Sequence, residues 1–245
     1  MPDVAEFGDE FPLILDHSRP LVITAFGKKG SGKSALNREI YHSWPHDKLA
    51  IDVNGHAEPG EDAEKITEPA KQWPGLSPMP GERRKRRNLH YVADPGSDTY
   101  HEDLDRAVQM ALLPKDHKVL LWAGEAGELM PNGRCGSAMR RLLMQNRHYR
   151  VSALFDAPRP VWLDRQVLLQ SNLIACFELP DPDDRKRIAK VTGHDPRKFE
   201  EFLFSCWNKG PHWFGLVDTD APRGKQLWRC APLPLTASSS GQPAR

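Results

Sequence analysis

Short apolar runs recur along the chain, separated by stretches in which apolar positions return every three or four residues. The runs "LVITAF" (21–26), "KLAIDV" (48–53), "NLHYVA" (88–93), "KVLLWA" (118–123), "RVSALF" (150–155) and "LIACFEL" (173–179) are mostly apolar on both faces, as strands at the centre of a parallel sheet should be. Between them the spacing predicts helices from Lys33 to Ser43, Thr99 to Leu113, Gly136 to Asn146 and Asp164 to Gln170. Two more, in "DPDDRKRIAKVTG" and "DPRKFEEFLFSCWNKG", open on Asp and Pro, residues suited to a helix start. The short runs "HWFGLV" and "QLWRCA" predict two closing strands. This alternation argues for βαβ units, hence an α/β fold built on a mainly parallel sheet flanked by helices.

A length of 245 residues suits one large domain better than two. Its expected extent is 1–234, with a segment rich in proline and charge at 55–87 that stands apart from the pattern. The tail 235–245, "TASSSGQPAR" with its preceding leucine, is predicted to be disordered. Lysine and arginine number 34 against 33 aspartates and glutamates, so no global field draws the chain to a polyanion and any such binding must be local. Cys135, Cys176, Cys206 and Cys230 are scattered without a C-x-x-C pair, which reads as reduced, mostly buried thiols rather than a disulfide framework or zinc site. The acidic N-terminus lacks a basic leader, and no apolar run approaches the ~18 residues needed to span a bilayer. These features predict a soluble, cytoplasmic protein. The tryptophans are dispersed and not interleaved with basic residues, which assigns most of them to the core or to interfaces.

Directly after "LVITAF" the chain reads Gly27, Lys28, Lys29, Gly30, Ser31, Gly32, Lys33, Ser34. This is G-x-x-x-x-G-K-[ST], the P-loop, placed between a strand and a helix as its mechanics require. The glycines let backbone N–H groups curl around phosphate oxygens while the helix directs its positive end at the same point. Lys33 would reach the β- and γ-phosphates of ATP, and Ser34 would ligate Mg²⁺. Lys28 and Lys29 belong to the loop, although a lysine at a loop tip is often simply solvated.

Such a loop needs a second strand that ends in acid. The best candidate is "VLLWAGEAGEL" (119–129), in which Glu125 could polarise the attacking water or hold the metal. The residue before it, where an aspartate usually stands, is Gly124. A further local feature is "ERRKRR": Arg83, Arg84, Lys85, Arg86 and Arg87 could neutralise DNA phosphates without reading sequence, or form a solvated surface run.

The order of "GKKGSGKS", "IDVNGH", "VLLWAGEAGEL", "LLMQNRHYRVSALFDAPRP" and "QSNLIACFELPDPDDRKRIAKVTG" resembles the FtsK–HerA superfamily of DNA-translocating ATPases, particularly the compact branch of viral packaging ATPases and Zot-like phage assembly proteins. The resemblance spans about Leu21 to Thr192. It implies a RecA-like core, ATP and Mg²⁺, a homo-oligomeric, hexameric ring, double-stranded DNA as partner, a capsid or membrane-bound assembly partner, and residence in a bacterial cell or phage-infected host. It matches Glu125 to the catalytic glutamate and Arg147 to an arginine that reaches a neighbouring subunit's nucleotide. Taken alone, Arg147 reads equally well as an arginine interacting with the last carbonyls of its helix. The chain departs from the pattern at Gly124 and at Pro158, where a sensor glutamine is common. Two functions compete: a DNA-moving ATPase, and a nucleotide-dependent assembly switch with little hydrolysis. A small-molecule kinase is disfavoured, because no arginine-rich lid is evident.

Overall fold

The computed structural model describes residues 5–7, 18–55, 57–69, 86–114, 117–131 and 134–232. The elements run β1 (Ala5–Phe7), β2 (Val22–Phe26), α1 (Lys33–Ser43), β3 (Asp47–Asp52), β4 (Glu64–Ile66) and β5 (Asn88–Val92). There follow α2 (Tyr100–Ala111), β6 (Val119–Ala123), α3 (Ala126–Leu129), α4 (Ser137–Tyr149), β7 (Val151–Ala157) and α5 (Arg165–Gln170). The chain then continues through β8 (Leu173–Cys176), α6 (Pro182–Thr192), α7 (Pro196–Trp207), β9 (Phe214–Asp218) and β10 (Leu227–Cys230).

Among the described residues the strands form one sheet in the order β1, β10, β9, β8, β2, β7, β6, β3, β5, β4. From β8 to β4 every neighbouring pair is parallel; β9 is antiparallel to both β8 and β10. Consequently β7 lies between the strand that leads into the phosphate loop and β6. No helix among the described residues is long and apolar enough to cross a membrane.

Side-chain alternation divides the core between the two faces of the sheet. On one face Val22, Phe26, Leu121, Ala123, Ala153 and Phe155 pack with the helices α2 to α7. On the other, Ile23, Ala25, Trp122 and Leu154 pack under Leu36, Ile40 and Tyr41 of α1. Three helices start on an aspartate whose side chain accepts a backbone N–H: Asp164 from Gln166, Asp181 from Asp183 and Asp195 from Lys198. Each such cap stabilises by about 1 kcal/mol, and Pro182 and Pro196 fit the first helical turn, where the N–H has no partner to lose.

The segment at 55–87 is partly built into the domain. Its strand β4 extends the sheet beside β5, Glu58 pairs with Arg38, and the Asn88 amide donates to Pro59 and Asp62 at 3.0 and 2.8 Å. The tail at 235–245 lies outside the described residues. Cys176, Cys206 and Cys230 are buried free thiols and Cys135 is half-buried, in line with the sequence reading.

Candidate nucleotide-binding site

At the C-terminal end of β2 the chain turns through Gly27, Gly30 and Gly32 at φ 152°, 74° and 110°. Gly27 is also forced to be glycine by space: a Cβ there would fall 2.6 Å from the Cβ of Phe177 and 2.8 Å from the Ser31 hydroxyl. The Phe177 ring, stacked on Phe214 at 4.6 Å, would lie 3.1 Å from a Cβ at Gly32 as well. Phe177 is therefore the wall against which the loop is folded. Behind it, His212 at φ 65° donates from Nδ1 to the Ser31 carbonyl at 3.1 Å.

The loop presents what an anion needs. Helix α1 begins at Gly32 with neither a side-chain cap nor an acidic residue in its first turn, so its orphan N–H groups and positive end face the loop. The buried hydroxyl of Ser31 has no hydrogen-bond partner among the described residues. Lys33 donates from Nζ to the carbonyls of Gly27 and Lys28 at 2.7 and 2.9 Å. Burial lowers the Lys33 ammonium from the ordinary lysine value, against the opposing attraction of Asp156 and Glu125. Lys28 pairs with Glu178 at 2.6 Å on the outer side of the loop, whereas Lys29 is exposed.

Across from the loop stand two carboxylates. Glu125 follows β6 at φ 58°, ψ 54°, a left-handed conformation rare for a residue with a side chain. Its backbone N–H donates to Oδ1 of Asp156 at 3.1 Å. Asp156, near the end of β7 and 6% exposed, accepts from the Ser34 hydroxyl on its other oxygen at 3.3 Å. Burial pushes the Asp156 carboxyl up to about 6 and the charge of Glu125 adds to the rise; the Glu125 N–H, Lys33 and Ser34 all oppose it. No group of three His, Cys, Asp or Glu gathers among the described residues as a self-sufficient metal site. Mg²⁺ at a nucleotide site takes one or two protein oxygens and completes its shell with phosphate and water. Ser34, Asp156 and Glu125 offer oxygen donors only, and a bound ion would neutralise phosphate charge there.

No protein-family model matches the chain, and no curated protein matches it. Among solved structures, the genome packaging NTPase B204 from Sulfolobus turreted icosahedral virus 2 in complex with AMPPCP aligns with a TM-score of 0.67 at 16% identity, covering 87% of this chain and 98% of that one. The same protein in complex with ATP-gammaS gives 0.66 at 17% identity with the same coverage. B204 from Sulfolobus turreted icosahedral virus, described as a DNA-packaging ATPase, gives 0.62 at 18% identity over 88% and 99% of the two chains. The chain has the P-loop NTPase fold.

Within this NTPase fold the predicted site residues divide between two rims of the sheet. Gly27 to Ser34 and Glu125 share the C-terminal rim. Arg147 does not join them: α4 ends only at Tyr149, and its successor Arg150, at φ 55°, leads straight into Val151 at the start of β7. From Val151 to Asp156 the strand advances about 16 Å, so Arg147 lies on the opposite rim, beyond reach of its own loop. Its exposed guanidinium has no hydrogen-bond or ion-pair partner among the described residues. Gln145, at φ −134° and ψ 19°, kinks α4 just before it and re-aims that last turn.

Of the basic run, Arg83, Arg84 and Lys85 lie outside the described residues. Arg86 is exposed. Arg87 serves the fold, pairing with Glu64 of β4 and donating its backbone N–H to Asp47 at 3.0 Å. Asp52 is structural too, accepting from Asn54, Ala57 and His90 at 3.3, 3.1 and 3.1 Å and so shaping the turn after β3. Pro158 follows β7 half-buried. Arg185 is buried in α6 and donates to the carbonyls of Leu179 and Pro180 at 2.6 Å. It ties the start of that helix to the turn before it. Sequence reasoning missed Asp156, Phe177 and His212. Only Asp156 left a signal, as the one charged residue in the otherwise uncharged run "VSALFDA".

Proposed function

We propose that the protein binds ATP with Mg²⁺ at Gly27 to Ser34, hydrolyses it, and uses the energy to move double-stranded DNA, as in packaging or transfer of a phage or mobile-element genome. The observation that carries this reading is the division of the site across two rims. One rim has loop, lysine, hydroxyl and Glu125; the other has Arg147, exposed and without a partner among the described residues, which its own nucleotide cannot use. A ring of copies, six by the resemblance, would bring Arg147 of one subunit to the phosphates of the next. Lys33 would hold the β- and γ-phosphates, Ser34 the metal, and Glu125 would orient water. Arg83 to Arg86 would grip the DNA backbone, with Arg87 holding the base of that segment to β4.

The shared fold with B204, a DNA-packaging ATPase, supports the DNA arm. The test is ATP turnover with and without double-stranded DNA, and stimulation is expected. Neutralising Arg83 to Arg86 should weaken DNA binding for all sequences alike and flatten its salt dependence. Gly124 and Pro158 favour a second reading, a nucleotide-dependent assembly switch; it would be selected by tight ATP binding with no turnover in either condition.

A further inference from the structure

β6 lacks a carboxylate beside the phosphate loop, because Gly124 stands where one would be. Alternation along β6 puts Leu120 and Trp122 on the α1 face of the sheet, so residue 124 belongs to that face. Along β7, Leu154 belongs to the same face, and Asp156 follows it two residues later. In register, Ala123 pairs with Phe155, which brings positions 124 and 156 side by side. A Cβ built on Gly124 would lie 3.6 Å from Oδ1 of Asp156.

We propose that Asp156 is the metal-side carboxylate of this site, supplied from β7 in place of the residue that β6 lacks. The proposal rests on reading the site as one for Mg²⁺ and nucleotide. Its second support is Ser34: the hydroxyl expected on the metal lies 3.3 Å from Oδ2 of Asp156. Adjacent ligands of an Mg²⁺ octahedron with bonds of about 2.0–2.1 Å are themselves about 3 Å apart. The two oxygens are thus spaced to share one ion, with little movement needed. The glycine at 124 then has a reason. An aspartate there would crowd a second negative charge against Asp156, so Gly124→Asp alone should not raise turnover.

The test compares calorimetric affinities for ATPγS in EDTA and in Mg²⁺. In the unaltered protein Mg²⁺ should tighten binding. Asp156→Asn should bind ATPγS in EDTA as well as or better than the parent, since a negative charge beside the phosphates is gone. It should also lose at least about tenfold of the Mg²⁺ increment, the loss that even an outer-shell partner of a metal ligand produces. Gly124→Asp combined with Asp156→Asn should recover part of that increment. Asp156→Cys, a small side chain tolerated in buried positions, guards against misfolding of the amide variant. It should shift the increment from Mg²⁺ to Cd²⁺, as a thiolate ligand does. A full Mg²⁺ increment in Asp156→Asn or Asp156→Cys overturns the proposal and leaves the nucleotide-site reading intact. Equal weakening in EDTA and Mg²⁺ also overturns it, making Asp156 a brace for Ser34 and Glu125. Absence of ATPγS binding by the unaltered protein overturns the nucleotide-site reading itself.

Discussion

The ammonium of Lys33 braces the loop it would also serve, since its donors are directed at the carbonyls of Gly27 and Lys28. Lys33→Ala should therefore abolish ATP turnover while the protein still unfolds cooperatively. Unchanged turnover in that folded variant would move the active site elsewhere. Asp156 predicts a trade between function and stability. In metal-free, nucleotide-free protein its carboxyl titrates at about 6, against about 3.9 in an unfolded chain. The folded state holds the proton more tightly, so the stability it contributes is full below about pH 3.9 and is lost as pH rises through about 6. The loss is on the order of 2 to 3 kcal/mol. Asp156→Asn should remove this pH dependence. Urea unfolding in EDTA should find the variant more stable than the parent at pH 8 and nearly equal to it at pH 4; a less stable variant at pH 8 contradicts the burial argument.

At the scale of elements, the loop between β2 and α1 owes its shape to backbone freedom and to Phe177. Gly27→Ala meets both a positive φ and a backbone-anchored Cβ at 2.6 Å, whereas Gly30→Ala meets positive φ in open space. The first should cost more than the ~1–3 kcal/mol of a strained conformation alone, the second about that much or less. Denaturant midpoints for the two variants would show it, and equal destabilisation would remove Phe177 as the wall. Most elements were legible in the sequence, because central strands are apolar on both faces and α6 and α7 announce themselves with Asp-Pro. The helix from Lys33 to Ser43 matches the prediction at both ends. Three elements were not legible. β1 and β4 span three residues each, too few for a period to show, and β4 derives its pairing from β5 rather than from its own composition. α3 is a single turn of four residues. The helix predicted to stop at Asn146 runs to Tyr149 across the kink at Gln145. The phosphate loop was readable because its residues are contiguous. Asp156 was not, because it meets Ser34 and Glu125 only once β7 is known to lie between β2 and β6, and strand order leaves no mark on a single sequence.

For the whole molecule, the separation of Arg147 from its own loop by about the length of a strand makes a prediction that one subunit alone cannot meet. Arg147→Ala should bind ATP nearly as the parent does and fail to hydrolyse it, with a rate loss on the order of 10³ or more. Lys33→Ala should be inactive for a different reason. Mixed together, the two should regain some turnover, because an intact loop can then face an intact arginine. Co-assembled mixtures that stay as inactive as either parent would make Arg147 a helix-end residue. The sheet's outermost strands, β1 and β4, bear on assembly in another way. Ten strands are enough to template indefinite growth if an edge is long, flat and open. Among the described residues each outer strand spans three residues, a short ladder for recruiting a further strand.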